Sequence, residues 1–290
     1  MRPFDRSCHG LYGQAMQSDL VHLPPDYHSH TRLCKHAAGR PVDYARAAVA
    51  NGLTEMACTE HCPVPEPFSP HVRMTLEEFP VYLEWVEEAR AVEGLRVRLG
   101  VEADYYEDCE DFLRDWLPRQ PLDIVLGSVH YLHYDREREF ALTGIWDGAD
   151  VEDRWETYFE RIAKLADTGL YDVVAHLDLP KKYGARPAPA VIERLVKPAL
   201  DRIAAAGMGI EINTSGFIHP VGEPYPAPDI LRWARERDIP LSFGSDSHSP
   251  DRMGDHFEAA VRMAIAAGYT ERAEYAERKR TLVPLIAIPG

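Results

Sequence analysis

From residue 24 onward, β-rich runs alternate with segments of helical spacing, and that alternation restricts the fold more than any other property of the chain. The runs fall at 26–30, 53–59, 96–102, 123–130, 172–176, 209–213 and 240–245. Between them, the segment from Pro41 to Ala50 has helical spacing and meets a stop at Asn51-Gly52. Thr75-Leu-Glu-Glu reads as a capping box, with Thr75 at the N-cap and Glu78 three residues on; its helix is expected to run to about Gly94. Further helices are expected near 108–117, 150–168, 188–206, 228–237 and 252–267. Strands that alternate with helices build parallel βαβ units. Seven such units without a composition break predict one α/β domain over 24–290, a closed or nearly closed barrel one strand short of the usual eight. An open doubly wound sheet is the alternative, but the chain has neither GxGxxG nor GxxxxGK[ST] to support it. Residues 1–23 lack a periodic pattern and read as an N-terminal extension, in which Met16 is a candidate natural start.

Composition limits the partners. With 45% hydrophobic residues the chain has material for a sizeable core. Its 32 Lys+Arg against 47 Asp+Glu give a net charge of −15, which argues against nucleic acid, whose phosphates need a basic face. A small anionic substrate remains compatible, because a bound cation reverses the local sign. No stretch approaches the roughly 18 apolar residues of a membrane span. The first residues lack the apolar core of a secretory signal. Cys8, Cys34, Cys58, Cys62 and Cys109 are odd in number and irregularly spaced, so reduced thiols and a cytoplasmic location are expected. Cys58 and Cys62 have no second pair with which to build a structural zinc knot, and Cys34 and Cys62 read as small packing residues.

The 13 histidines carry the functional signal. His28 and His30 end the first predicted strand, His61 the second, Glu102 and Asp104 the third and His130 the fourth. His176 ends the fifth, Glu211 and Asn213 the sixth, and Asp246 and His248 the seventh. In a barrel of parallel strands those ends share the face where active sites are built. Alternate residues of a strand point the same way, so His28 and His30 point together, as do Asp246 and His248. One histidine at a strand end is ordinarily a surface residue; the joint pattern predicts a metal site. Imidazole with carboxylate suits zinc, iron or manganese rather than calcium. His9, His22, His71, His133, His219 and His256 fall outside the pattern and read as surface or core residues.

The segments DYHSHTRLCKHA, ACTEH, GVEADY, GSVHYL, VVAHLD, EINTSG and FGSDSH, spread over residues 26 to 254, resemble the ordered motifs of the PHP (polymerase and histidinol phosphatase) superfamily. GSVHYL and CKHA are most similar to its histidinol-phosphate phosphatase branch. The resemblance implies a distorted (β/α)7, TIM-like barrel holding three divalent ions of zinc, iron or manganese. It implies a first ion at His28, His30, Glu102 and Asp246, a second at Glu102, His130 and His176, and a third at His36, His61 and His248. The assignment of His36 rests on the resemblance alone. The implied activity is hydrolysis of L-histidinol phosphate in histidine biosynthesis. The alternatives are another phosphoesterase of the superfamily, such as a phosphotyrosine phosphatase or a nuclease, or a barrel that binds without turnover.

Metal-activated hydroxide attack is the expected chemistry, because metals lower the pKa of bound water and neutralise a phosphate dianion. Glu102 lies by the hydroxide and Asp246 orients it, while Asp246 or His248 protonates the leaving alkoxide. Lys181, Lys182, Arg186 and Arg252 lie just past strand ends and are candidate phosphate contacts. Glu211 and Asn213, with Glu66 and Asp104, are candidates for the amino alcohol. Asp26, Glu60 and Asp178 are candidates to hold the second nitrogen of a ligating histidine. The sequence shows no heptad or long apolar helix face that would indicate an oligomer.

Overall fold

The computed structural model describes residues 23–65, 71–106, 108–132 and 150–286. The expectations for the N-terminal extension, Met16, Cys8, His9, His22, Glu66 and His133 lie outside them. Six strands form one parallel sheet in sequence order: β1 (Glu55–His61), β2 (Arg96–Asp104), β3 (Ile124–Ser128), β4 (Val173–Val174), β5 (Gly209–Asn213) and β6 (Leu241–Gly244). Segment 26–30 runs between the two outer strands. On one side Ala57 N–H donates to Asp26 O (2.8 Å) and Thr59 N–H to Ser29 O (3.0 Å). On the other Tyr27 N–H donates to Phe243 O and His30 N–H to Ser247 O, both 2.9 Å. This seventh stave closes the sheet into the expected distorted (β/α)7 barrel. It joins its neighbours through isolated parallel bridges, Asp26 to Met56 and Ser29 to Ser247, rather than a full ladder. The Asp26 carboxylate takes backbone N–H groups of Ser245 and Gly254, both at 2.9 Å, and so ties the stave to the loop beyond β6.

Among the described residues, seven helices cover the sheet: α1 (Pro41–Ala50), α2 (Phe79–Ala89), α3 (Cys109–Trp116), α4 (Val151–Thr168), α5 (Pro189–Ala205), α6 (Pro228–Arg235) and α7 (Phe257–Ala266). The Thr75 box forms, with Thr75 N–H to Glu78 Oε2 at 2.9 Å and Glu78 N–H to Thr75 Oγ1 at 3.3 Å. It caps a turn just before α2, and α2 ends at Ala89 because Ala91 and Val92 N–H bond three residues back instead of four. Helix α7 starts five residues later than expected, after a 3-10 turn at Pro250–Arg252 and after His256 at φ 59°.

The sequence reading contains no strand after 245, yet β7 (Glu271–Ala276) and β8 (Lys279–Pro284) form an antiparallel hairpin. Ala273 and Tyr275 of β7 join Tyr27, Ala57, Ile124, Leu126, Val173 and Ala175 in a core of their own. On β3 and β4 the residues between these, Val125 and Val174, belong to the larger core shared with the helices, which is the two-residue period of a strand buried on both faces. Arg278 binds Asp172 (Nε to Oδ2, 2.9 Å) and its N–H reaches Asp123 O (2.9 Å). Both aspartates stand immediately before strands, so the hairpin closes the N-terminal end of the barrel, opposite the rim at which the strands end.

Candidate metal centre

The register of the sheet gathers the chemistry at that rim. His61 ends β1 directly opposite Glu102 of β2, and Asp104 two residues on lies opposite Ser128 at the end of β3. His130 and His176 each follow two residues after a strand, and Asp246 and His248 follow β6. His176 and Asp246 hold left-handed backbone conformations, φ 27° and 51°, a strain found where a side chain is aimed for function.

Three groups of donor atoms result. In the first, His28 Nε2 and His30 Nε2 are 3.1 Å apart. Glu102 Oε2 lies 3.6 and 3.5 Å from them, and Asp246 Oδ1 3.6 and 3.3 Å. Donors spaced 3.1–3.6 Å apart are as close as ligands that share one ion with bonds of about 2.1 Å. In the second, Glu102 Oε1 lies 3.0 Å from His176 Nε2 and 3.5 Å from His130 Nε2, which are themselves 3.2 Å apart. In the third, His36 Nε2 and His248 Nε2 are 3.0 Å apart and His61 completes a group whose donors lie within 4.8 Å of one another. His61 Nδ1 also lies 2.9 Å from Glu102 Oε2. Despite that approach, the geometry leaves this buried oxygen without a hydrogen-bond partner among the described residues.

The tautomers make the case for cations. His36 Nδ1 faces Cys34 O at 2.8 Å and His248 Nδ1 faces Asp246 O at 3.1 Å. A carbonyl only accepts, so both Nδ1 atoms carry hydrogen. Burial pushes the His248 pKa down to about 3, and lowers that of His36, so both rings are neutral. Their Nε2 lone pairs therefore point at each other at 3.0 Å, an arrangement that repels unless a cation lies between them. Burial likewise lowers His61 to about 4. Glu102 is disfavoured as an anion by burial, yet the imidazoles of His130, His61 and His28 outweigh this and hold its pKa well below the usual carboxylate range. Burial also disfavours the charged forms of His28, His30 and His130, but the carboxylates beside them outweigh it and raise all three, His30 to about 9, so an ion taken up there would displace protons.

A ring of acceptors orients these side chains. Glu211 receives His28 Nδ1 (3.0 Å), Glu60 faces His30 Nδ1 (3.5 Å) and Asp104 receives His130 Nδ1 (2.5 Å). Glu211 also accepts from His176 N–H (2.9 Å) and Asn213 Nδ2 (2.8 Å), and Asn213 Oδ1 accepts from Ser215. Glu211 and Asn213 are thus engaged in holding the centre rather than lining the cleft. Asp26 and Asp178 accept backbone N–H groups, Asp178 that of Ala227.

The centre floors a cleft of ≈ 440 Å³. Of the four sequence-derived phosphate candidates, Lys182 and Arg252 line it. Lys181 does not: it is fully buried, with its ammonium on Asp178 (2.8 Å), Glu223 (2.8 Å) and Pro224 O (2.7 Å). Arg186 also turns to Glu223, at 3.0 Å. Arg73, Tyr131, Ser215 and His219 line the cleft without having been singled out in the sequence as site residues. Tyr131 directly follows His130, a signal the sequence offers; Arg73 lies on no strand and offers none.

A sequence profile of the PHP domain matches residues 26–215. A protein of Deinococcus radiodurans named "probable histidinol-phosphatase" is 39% identical over 243 residues, 82% of this chain and 91% of that one. The histidinol-phosphatase of Bacillus subtilis is 29% identical over 263 residues, 81% of this chain and 97% of that one. Among solved structures, the histidinol phosphate phosphatase of Lactococcus lactis, complexed with zinc, L-histidinol and phosphate, superposes with a TM-score of 0.76 at 21% identity, covering 89% of this chain and 98% of its own.

Proposed function

The chain belongs to the PHP domain family, and from that premise we propose that it is a metal-dependent phosphatase that hydrolyses L-histidinol phosphate to L-histidinol and phosphate, using three divalent ions of zinc, iron or manganese. The observation that carries this reading is Glu102, whose two oxygens serve two separate groups of imidazoles at the floor of an open cleft. His28, His30, Glu102 and Asp246 would hold one ion, Glu102, His130 and His176 a second, and His36, His61 and His248 a third. Ions held there lower the pKa of bound water towards neutrality and neutralise a phosphate dianion.

The chain's own groups have separable roles. His36 is exposed while His28 and His30 are buried, so the third group meets an incoming phosphate first. Asn213 Nδ2 donates to Asp246 Oδ2 (3.3 Å), beside Ser215 Oγ at 3.2 Å, and would hold that carboxylate where it orients the attacking water. Proton transfer to the leaving alkoxide falls to Asp246 or His248. Lys182 lines the cleft with no carboxylate ion pair among the described residues, and is the cation best placed for the phosphate. A net charge of −15 speaks for a small substrate over nucleic acid. No helix among the described residues is long and apolar enough to cross a membrane. The four described cysteines are unpaired and buried, which fits work in a reducing compartment.

Phosphate release measured across a panel of phosphomonoesters, with metal content determined on the same sample, tests this. Histidinol phosphate should lead the panel by orders of magnitude in kcat/KM, and a chelator should abolish turnover. Equal rates on all esters would remove the substrate, and turnover in metal-free protein would remove the mechanism.

A further inference from the structure

Arg73 is almost fully buried, precedes α2 on no regular element, and touches the ends of three neighbouring strands. Its Nη1 donates to Cys62 O (3.2 Å), the residue after His61. Its Nη2 donates to Asp104 Oδ2 (2.8 Å), two residues after Glu102, and to Tyr131 Oη (3.2 Å), the residue after His130. The other oxygen of Asp104 lies 2.5 Å from His130 Nδ1. A guanidinium is a rigid planar fork, so it fixes both the charge and the orientation of the carboxylate it grips. Held this way, Asp104 accepts the Nδ1–H of His130, so Nε2 is the nitrogen turned to the centre, facing His176 Nε2 at 3.2 Å and Glu102 Oε1 at 3.5 Å.

The geometry points to Arg73 as a positioning residue that acts through Asp104 and His130 to set the affinity of one ion, the one between Glu102, His130 and His176. The inference rests on the metal-dependent reading above and deepens it. The other two groups have orienting acceptors of their own: Glu211 and Glu60 serve His28 and His30, and backbone carbonyls serve His36 and His248, while Arg73 approaches His61 only through the backbone of the next residue, Cys62. Loss of the clamp therefore weakens one ion selectively, in the 10–100-fold range typical of groups that orient a ligand.

The test titrates metal-free protein with Zn²⁺ against a chromophoric chelator, for the wild type, Arg73→Gln, Asp104→Asn and the double variant. The expected result is one dissociation constant raised 10–100-fold in each single variant with the others unchanged, and a double variant no weaker than Asp104→Asn alone. Uniform weakening of every ion, unchanged affinities, or single-variant effects that multiply would overturn the inference. Should Arg73→Gln fail to fold, Arg73→Lys keeps the charge without the fork and should give an intermediate, still selective, loss. Wild-type protein that takes up no ion would sink the metal-dependent reading itself, whereas selective uptake with no effect of these variants would sink the Arg73 relay alone.

Discussion

Glu211 shows how one carboxylate decides where a neighbouring imidazole points. Both its oxygens lie close to His28 Nδ1, at 3.0 and 3.1 Å, and the same side chain caps the His176 N–H. Spacing along β5 marks Glu211 as inward-facing, but says nothing of a partner 183 residues away. Glu211→Gln should therefore raise a metal dissociation constant by about 10–100-fold. In metal-saturated enzyme KM should change little; a large KM effect with unchanged metal affinity would restore a substrate role. Asp26 makes a different prediction. Burial pushes its carboxyl from 3.8 up to about 6, despite the Ser245 and Gly254 N–H groups that favour the anion. The native state therefore holds this proton more tightly than the unfolded chain does. The contribution to stability is complete below about pH 4 and is lost as pH rises through about 6. Asp26→Asn removes that titration. Urea unfolding of metal-free protein should show the wild type losing on the order of 3 kcal/mol more than the variant between pH 4 and pH 7. Parallel pH profiles would refute it.

At the scale of elements, the barrel sheet was largely legible because strands buried on both faces write themselves as apolar runs. Strand-end periodicity likewise marks the side chains that meet at the rim, with the exception of His36. That residue follows a 3-10 turn at Arg32–Cys34, where no period of two or of 3.6 exists to reveal it. The hairpin was hidden for the opposite reason: its few apolar residues are interleaved with Glu271, Glu274, Glu277, Arg278, Lys279 and Arg280. Glycine on β2 is a further element-level constraint. A Cβ at Gly100 would lie 2.7 Å from Ile124 Cγ2, 2.8 Å from Ile124 O and 2.8 Å from Thr59 Cγ2. The backbone oxygen cannot yield without opening the β2–β3 ladder that carries Glu102. Gly100→Ala should cost about 1–3 kcal/mol, read as a lower urea midpoint. An unchanged midpoint would show that the strands have room to part.

Across the whole molecule, the two ends of the barrel divide stability from chemistry. The rim concentrates carboxylates and imidazoles whose burial works against folding, and the opposite end has to supply compensating apolar contact. The hairpin does this: Tyr275, 3% exposed, meets Tyr27 edge to face with ring centroids 6.2 Å apart. Its N–H also reaches Tyr27 Oη (3.3 Å), which in turn donates to buried Glu55 at 2.6 Å. Tyr27 belongs to the stave that joins its neighbours by single bridges, so the hairpin braces the seam where the ladder is weakest. His28, one residue on, is held independently by Glu211. Tyr275→Ala should therefore cost about 3–5 kcal/mol, as truncation of a buried aromatic side chain does. It should leave the number of bound ions and the KM of the folded enzyme unchanged. Calorimetric unfolding paired with metal analysis checks both halves, and a variant of normal stability, or one that sheds ions while still folded, would contradict the division of labour between the two ends.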